Sequence, residues 1–372
     1  MAGIIGRQEL PKYYAAKLAI FLLVGSLAML LTEVFAGSFP LWFVSVSGWL
    51  IVFPLYLGHL LFFLNVAMRI RKTSLNHLYF FGVLIALYES WITKVLWAGY
   101  PGSNGPIVGT FLGVASLEFS VLVFFWHPLF AFMLPLLMFE VLAVSTSPNS
   151  GFEKRLFPTH LPILERKTEL GLIFLLAAVI GAAFLTNNSN VSQNPAIAIS
   201  SALGSTLIIL LLYGVVRTRP DAFSVESLRL STGKLTLVAA YLVFLYVFMF
   251  IFQHPEDIPN YPTPILAIIG FYGLVALIIK ASPKDRPNPQ VTVPKANRLF
   301  SARQLSVFFA CFLLTTGIMC VIPEISISLA LIFNLLIFVT GPLVFTAMTL
   351  LLLRDRILKL FRKNKQPSDS QK

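Results

Sequence analysis

Charge is scarce in this chain. Asp, Glu, Lys and Arg together make up 12% of its 372 residues, about half the ~25% of an ordinary soluble domain. So little charge excludes a soluble enzyme, because there is not enough of it to cover a globular surface. It also excludes a disordered tail protein, whose composition runs the other way. Cysteine is nearly missing as well. Cys311 and Cys320 lie nine residues apart in one apolar stretch, about 180° apart on a helix. They cannot bridge each other there, and a disulfide scaffold is excluded. Acidic residues are the scarcer sign, 16 against 28 Lys and Arg, for a net charge of +12.

What the chain has is apolar length. Hydrophobic residues make up 57% of it, and its mean hydropathy is +0.82. About 20 apolar residues span a bilayer core as a helix. Such stretches occupy 14–36, 41–64, 76–98, 110–126, 129–147, 169–186, 196–216, 235–252, 264–280, 305–322 and 327–353. Their separators carry Pro, Gly, Asn and charge, as helix ends do. The expected fold is all-α, a polytopic transmembrane helical bundle. The first stretch resembles a signal peptide in its basic leader and in Val34-Phe35-Ala36. Its apolar run is longer than a signal core, so it is read as a retained helix.

The basic residues sort by connection. Of the 28, 27 lie before the first stretch, after the second, fifth, seventh and ninth, and in the tail; Lys94 is the remaining one. The connections 37–40, 99–109, 187–195, 253–263 and 323–326 hold no Lys or Arg. Lys and Arg resist translocation, so both termini are expected in the cytoplasm of a cell-membrane protein. The +12 then marks topology and anionic lipid, and no nucleic-acid partner is expected. The sequons at Asn187 and Asn190 fall on the side this rule makes external.

Both ends inside requires an even number of crossings, yet there are eleven stretches. The odd element lies within 76–147, and two arrangements satisfy the rule. In one, 76–98 crosses and 110–147 makes a single crossing, with Trp126-His127-Pro128 breaking it at membrane depth. In the other, 110–126 and 129–147 form a hairpin turning outside at His127-Pro128, and 76–98 only dips in. Either gives about ten crossings plus one re-entrant or interfacial segment.

Ionisable groups at membrane depth are costly and ask for a reason. After Glu169 the stretches hold none away from their ends. Before it stand Glu89, Lys94, Glu118 and Glu140, with His59 and His127 nearby. This divides the chain into an N-terminal membrane region at 1–147, a cytoplasmic loop at 148–168, a scaffold at 169–353 and a basic tail at 354–372. The tail alternates basic and apolar residues and is expected to lie along the anionic inner surface. The loop 282–303 reads as a Pro-rich basic linker.

Glu89 shares a helical stripe with Gly82, Ala86 and Thr93 and should face protein. As a functional group it would carry protons, bind a metal or meet a polar substrate; as packing it would be a protonated acid bonded to a neighbouring helix. Lys94 is expected to snorkel to the helix end. Glu118 stands opposite the stripe Gly109, Gly113, Ser116 and Ser120, which suggests a central helix. Glu140 has apolar neighbours, and an interhelical hydrogen bond suits it. His127 either lines a buried break or sits in an outer turn, and His59 reads as a satisfied core histidine. The turn-rich loop 99–109 is either a lid or a connector.

There is no HExxH, no CxxC pair, no phosphate loop and no nucleophile elbow, so metal and cofactor stay open. The candidate site residues are Glu89, Glu118, Glu140 and His127. Their clustering in one third of the chain points to a membrane-embedded enzyme or lipid-handling protein. A secondary transporter, hinted at by Pro54, Asn334 and Gly341-Pro342, is the alternative. A structural subunit with its acids as interhelical glue is the third reading.

Overall fold

A computed structural model of the chain describes residues 10–146, 152–191, 194–285 and 298–364. Among them nine helices are long and apolar enough to cross a membrane. They are α1 (Ala15–Val34), α2 (Gly48–Ile70), α6 (Ser116–Thr146), α7 (Lys167–Ser189), α8 (Pro195–Arg217), α9 (Thr232–Phe252), α10 (Pro262–Ala281), α11 (Ala302–Val321) and α12 (Pro323–Arg354). Between α2 and α6 the chain passes in three pieces, α3 (Leu75–Ala86), α4 (Tyr88–Trp91) and α5 (Val95–Ala98). The fold is therefore the all-α polytopic bundle that composition requires. Its strands among the described residues are a short hairpin, β1 (Thr110–Phe111) and β2 (Val114–Ala115).

Side-chain bonds gather the connections into two poles. At one, Lys72 Nζ donates to the Ser282 carbonyl at 2.8 Å, and His160 Nε2 donates to the Thr73 carbonyl at 2.8 Å. Arg69 reaches the Leu230 carbonyl, and Ser145 Oγ accepts the Ala302 amide at 2.8 Å. The four internal basic connections thus meet at one end. At the opposite pole Asn188 donates to the Ala36 carbonyl, Gly113 abuts Pro264, and Lys94 Nζ meets the end of α9. Among the described residues the chain makes ten traverses between these poles, the broken α3–α5 being one of them.

The odd element resolves as the first of the two arrangements. Residues 116–146 form one helix, and its Leu122–Met133 portion is wound as a π-helix around Pro128. Proline has no amide, so in this wider register the carbonyl five residues back, that of Val123, loses its donor. One residue on, the Phe124 carbonyl accepts the Tyr79 hydroxyl at 2.6 Å. The external-turn reading of His127-Pro128 is overturned, because both are buried. Gly109 and Gly113 are not helical either. Gly109 precedes the hairpin and Gly113 lies in its turn, with φ of +94° and +76°, so the stripe drawn through Gly109, Gly113, Ser116 and Ser120 does not exist as a helix face. The non-spanning apolar surplus is this hairpin loop, with Ile107, Val108, Phe111 and Leu112 exposed.

Burial grades from centre to rim. In α1 and α6, 72% and 78% of the apolar window is buried, against 17% in α9 and α12. The exposed Leu237, Phe244, Leu277 and Leu343 are what lipid contact looks like on peripheral helices. Apolar faces do not drive association in lipid, so close approach must come from small residues. Gly181 against the Phe35 ring and Gly341 against Ser120 are two such seams. Cys311 and Cys320 are free and half-buried.

Candidate functional site

Three π-helical turns and one helix break converge on a buried polar chain. α1 ends in a π-turn, Leu30–Val34, that carries Glu33. α2 begins with another, Gly48–Val52, just ahead of Tyr56. The long π-segment of α6 carries His127, and the break after α3 carries Tyr88 and Glu89. Such wide turns recur at functional sites because they displace a side chain from the regular register.

From these positions the groups connect. Glu33 Oε2 accepts the Ser38 hydroxyl at 2.6 Å, and Tyr56 donates to Glu33 Oε1. Tyr56 and Tyr88 share a hydrogen bond of 2.5 Å. Tyr88 stands 3.2 Å from His127 Nε2, and the same nitrogen is 3.3 Å from Glu89 Oε1. Thr93 donates to Glu89. The result is an unbroken run, Ser38–Glu33–Tyr56–Tyr88–His127–Glu89–Thr93. Its Ser38 end is exposed; Tyr56, Tyr88, Glu89 and His127 are buried.

The tautomer follows from the partners. His127 Nδ1 is 3.2 Å from the Leu122 carbonyl, which can only accept, so Nδ1 carries a proton. Nε2 then has two states. As N–H it donates to Glu89, while Tyr88 donates to Tyr56 and Tyr56 to Glu33; as a lone pair it accepts from Tyr88, which then accepts from Tyr56, and Glu33 becomes the donor to Tyr56. The run can therefore be hydrogen-bonded in either direction.

His59 sits beside this run as a satisfied histidine, with Nδ1 on the Leu55 carbonyl at 2.9 Å and Nε2 on the Tyr246 hydroxyl at 3.0 Å. Its ring lies against Tyr88 at 5.7 Å between centroids, so it helps to fix that hydroxyl.

Gly82 sets the distance between the two halves of the site. A Cβ there would fall 2.5 Å from Pro128 Cα, so α3 and α6 touch backbone to backbone one residue from His127. Gly82→Val should push the helices apart, cost about 1–3 kcal/mol of stability and separate Glu89 from His127. A thermal midpoint unchanged from wild type in detergent would disprove that close contact.

The four sequence candidates do not form one cluster. Glu89 and His127 meet. Glu118 lies nearby on α6, where its Oε1 accepts the Ile107 amide at 3.0 Å and its buried Oε2 has no partner. Tyr100, between them, feels the charge of both Glu118 and Glu89, and burial raises its hydroxyl well above the ordinary range. Glu140 is at the basic pole. There Oε2 is 2.8 Å from His160 Nδ1, and Oε1 accepts the Phe157 amide at 2.9 Å. Its partner is a loop residue rather than another helix.

Lys94 does not snorkel. It is fully buried in a left-handed backbone conformation, φ 59°. Its ammonium donates to the Met249 carbonyl at 2.8 Å and to the Gln253 carbonyl. The last carbonyls of a helix lack intrahelical donors and carry partial negative charge, and Lys94 satisfies those of α9.

A second polar lock closes the basic pole. Asp285 accepts the amides of Thr73 at 2.5 Å and Ser74 at 2.8 Å, with His77 Nδ1 at 3.1 Å. Burial pushes its carboxyl up, but His77 and the two amides outweigh this and hold it below the ordinary aspartate range.

Sequence reasoning missed Glu33, Tyr56, Tyr88 and His160. Glu33 stands three residues before the end of the stretch 14–36, and its position inside that stretch is the signal that could have found it. The tyrosines carry no charge signal. As for metals, among the described residues His254, Glu256 and Asp257 bring ligand atoms within 4.8 Å of one another on the connection between α9 and α10. Glu33, Glu89 and His127 do not form such a set.

A family model described as an uncharacterized membrane protein family matches residues 22–363. An uncharacterized protein of Archaeoglobus fulgidus is 31% identical over 301 residues, which cover 81% of this chain and 90% of that protein. No solved structure matches.

Proposed function

Since this chain belongs to that uncharacterized membrane protein family, its activity must be read from the site, and we propose a membrane-embedded acid–base enzyme acting on a lipid or lipid-linked substrate. The observation that carries this is the run from Glu33 through two tyrosines to the His127–Glu89 pair. In this reading His127 moves a proton to or from the reacting group at Nε2. Glu89 faces the same nitrogen, accepts its N–H when no substrate is there and favours the charged ring. Tyr88, Tyr56 and Glu33 pass the proton on to the exposed Ser38. Residues 1–147 are then the working region, 148–168 the cytoplasmic loop, 169–353 the scaffold and 354–372 the basic tail.

The test compares lipid extracts of host cells carrying the wild-type chain, an empty vector and a His127→Gln variant of equal abundance. A lipid species that the wild type alone depletes or produces supports the reading. Identical extracts sink it.

A proton-coupled transporter has one observation in its favour, the helix broken between Ala86 and Val95 within a polar core. Proton uptake into proteoliposomes driven by a solute gradient, with no lipid change, would decide for it.

For orientation, the basic pole is the cytoplasmic one under the charge rule, with both termini on that side and anionic lipid against it. In a Cys311→Ser, Cys320→Ser background, Ser103→Cys should react with a membrane-impermeant maleimide in intact cells. Arg166→Cys should react only after permeabilisation. The reverse pattern inverts the assignment.

A further inference from the structure

Beside the hydrogen-bonded run lies a set of polar atoms that it does not use. Glu118 Oε2, Trp97 Nε1 and Ser90 Oγ are each buried without a hydrogen-bond partner. The residues are 0%, 7% and 0% exposed. Leaving a buried polar group unpaired costs about 1–3 kcal/mol, and more for a carboxylate. Three of them fall on segments that pack together: α4 on α5, and α5 on both β2 and the first turns of α6. The same region borders Glu89, one residue before Ser90.

Their chemistry is selective. Trp97 N–H can only donate and needs an acceptor; the Glu118 carboxylate needs a donor; Ser90 can do either. A hydroxyl group supplies both functions. An ammonium group cannot accept from Trp97. A phosphate would meet the Glu118 charge with no cation to offset it, because 99–109 holds no Lys or Arg and Lys94 is committed to the α9 carbonyls.

The cover over this region says where the ligand comes from. The loop that lays the Ile107 amide on Glu118 Oε1 exposes Ile107, Val108, Phe111 and Leu112 outward, at the pole opposite the basic one. Exposed apolar side chains over buried unpaired polar atoms suit an amphiphile. We propose that Glu118, Trp97 and Ser90 bind the hydroxyl-rich headgroup of a neutral lipid beneath the 99–115 loop, with its acyl chains along the exposed apolar face. The proposal rests on the lipid-substrate reading and names the substrate class for that site.

The test uses the full chain in phosphatidylcholine nanodiscs with increasing glucosyldiacylglycerol. The thermal midpoint should rise saturably with that lipid. Phosphatidic acid and phosphatidylethanolamine at the same fractions should leave it unchanged. Glu118→Gln and Trp97→Phe should each raise the half-saturating fraction about tenfold, the loss of one hydrogen bond to a charged or buried group. If Glu118→Gln does not fold, Trp97→Phe alone carries the test. Equal response to all three added lipids, preference for phosphatidic acid or phosphatidylethanolamine, or wild-type saturation in Trp97→Phe each overturns the proposal; a structural water at Glu118 would give the first of these. Glu89→Gln should still bind the glycolipid. Binding with no turnover in any variant or the wild type would leave this site standing and remove the enzyme reading.

Discussion

Glu89→Gln and His127→Gln are each expected to lower turnover of the lipid substrate by about 10²–10⁴-fold, the usual worth of a positioned general acid or base. The two should not be additive, because Glu89 acts through the imidazole: its Oε1 is 3.3 Å from His127 Nε2. The double variant should fall no further than His127→Gln alone. In Glu89→Gln the amide still fills the volume and still accepts the Thr93 hydroxyl, so the fold survives. Its KM should hold near wild type while kcat drops, since the carboxylate charge is needed in the transition state and not for headgroup contact. Tyr56→Phe and Tyr88→Phe cut the run between Glu33 and His127 and should slow turnover less, because water can replace a relay hydroxyl. Full activity in Glu89→Gln would return that residue to the role of packing.

Glu140→Ala should instead break the protein. Its carboxylate is fully buried and holds both His160 and the Phe157 amide, while His160 in turn holds the Thr73 carbonyl. Removing one member of a buried pair leaves the other unpaired, at a cost of about 3–5 kcal/mol. The expected result is a thermal midpoint lowered by many degrees, with loss of material during purification. Glu140→Gln should be milder, because its amide oxygen can still accept from Phe157 and its NH₂ can donate to His160 Nδ1. Below its lowered midpoint that variant should turn over substrate at the wild-type rate. This separates the structural carboxylate from Glu89, which sequence alone cannot do. A loss of rate in Glu140→Gln with an unchanged midpoint would reverse the assignment.

Much of the architecture is legible in residue types. The apolar stretches become helices because a backbone in hydrocarbon must satisfy its own hydrogen bonds. The sorting of Lys and Arg anticipates which connections meet, as the contacts of Lys72, Arg69 and His160 bear out. Legibility fails at Pro128, because a proline followed by apolar residues can either turn outside or widen a helix. The choice depends on what packs against the widened turn, and Tyr79, which donates to the Phe124 carbonyl there, is 45 residues away. It fails also at Lys94, whose acceptors are 155 and 159 residues distant.

Local composition, hydropathy period and the distribution of Lys and Arg therefore determined by themselves that the chain is a polytopic helical membrane protein, and which connections share a pole. These are properties of each segment facing lipid or water. Tertiary structure decided which costly groups are partners. Glu33, Tyr56, Tyr88, Glu89 and His127 come from α1, α2, the α4 break and α6, brought together by the Gly82–Pro128 contact and three widened turns. Glu140, equally costly in the sequence, goes to a loop histidine at the other end. A buried charge states that it needs a partner; only the packed bundle determines which one it gets.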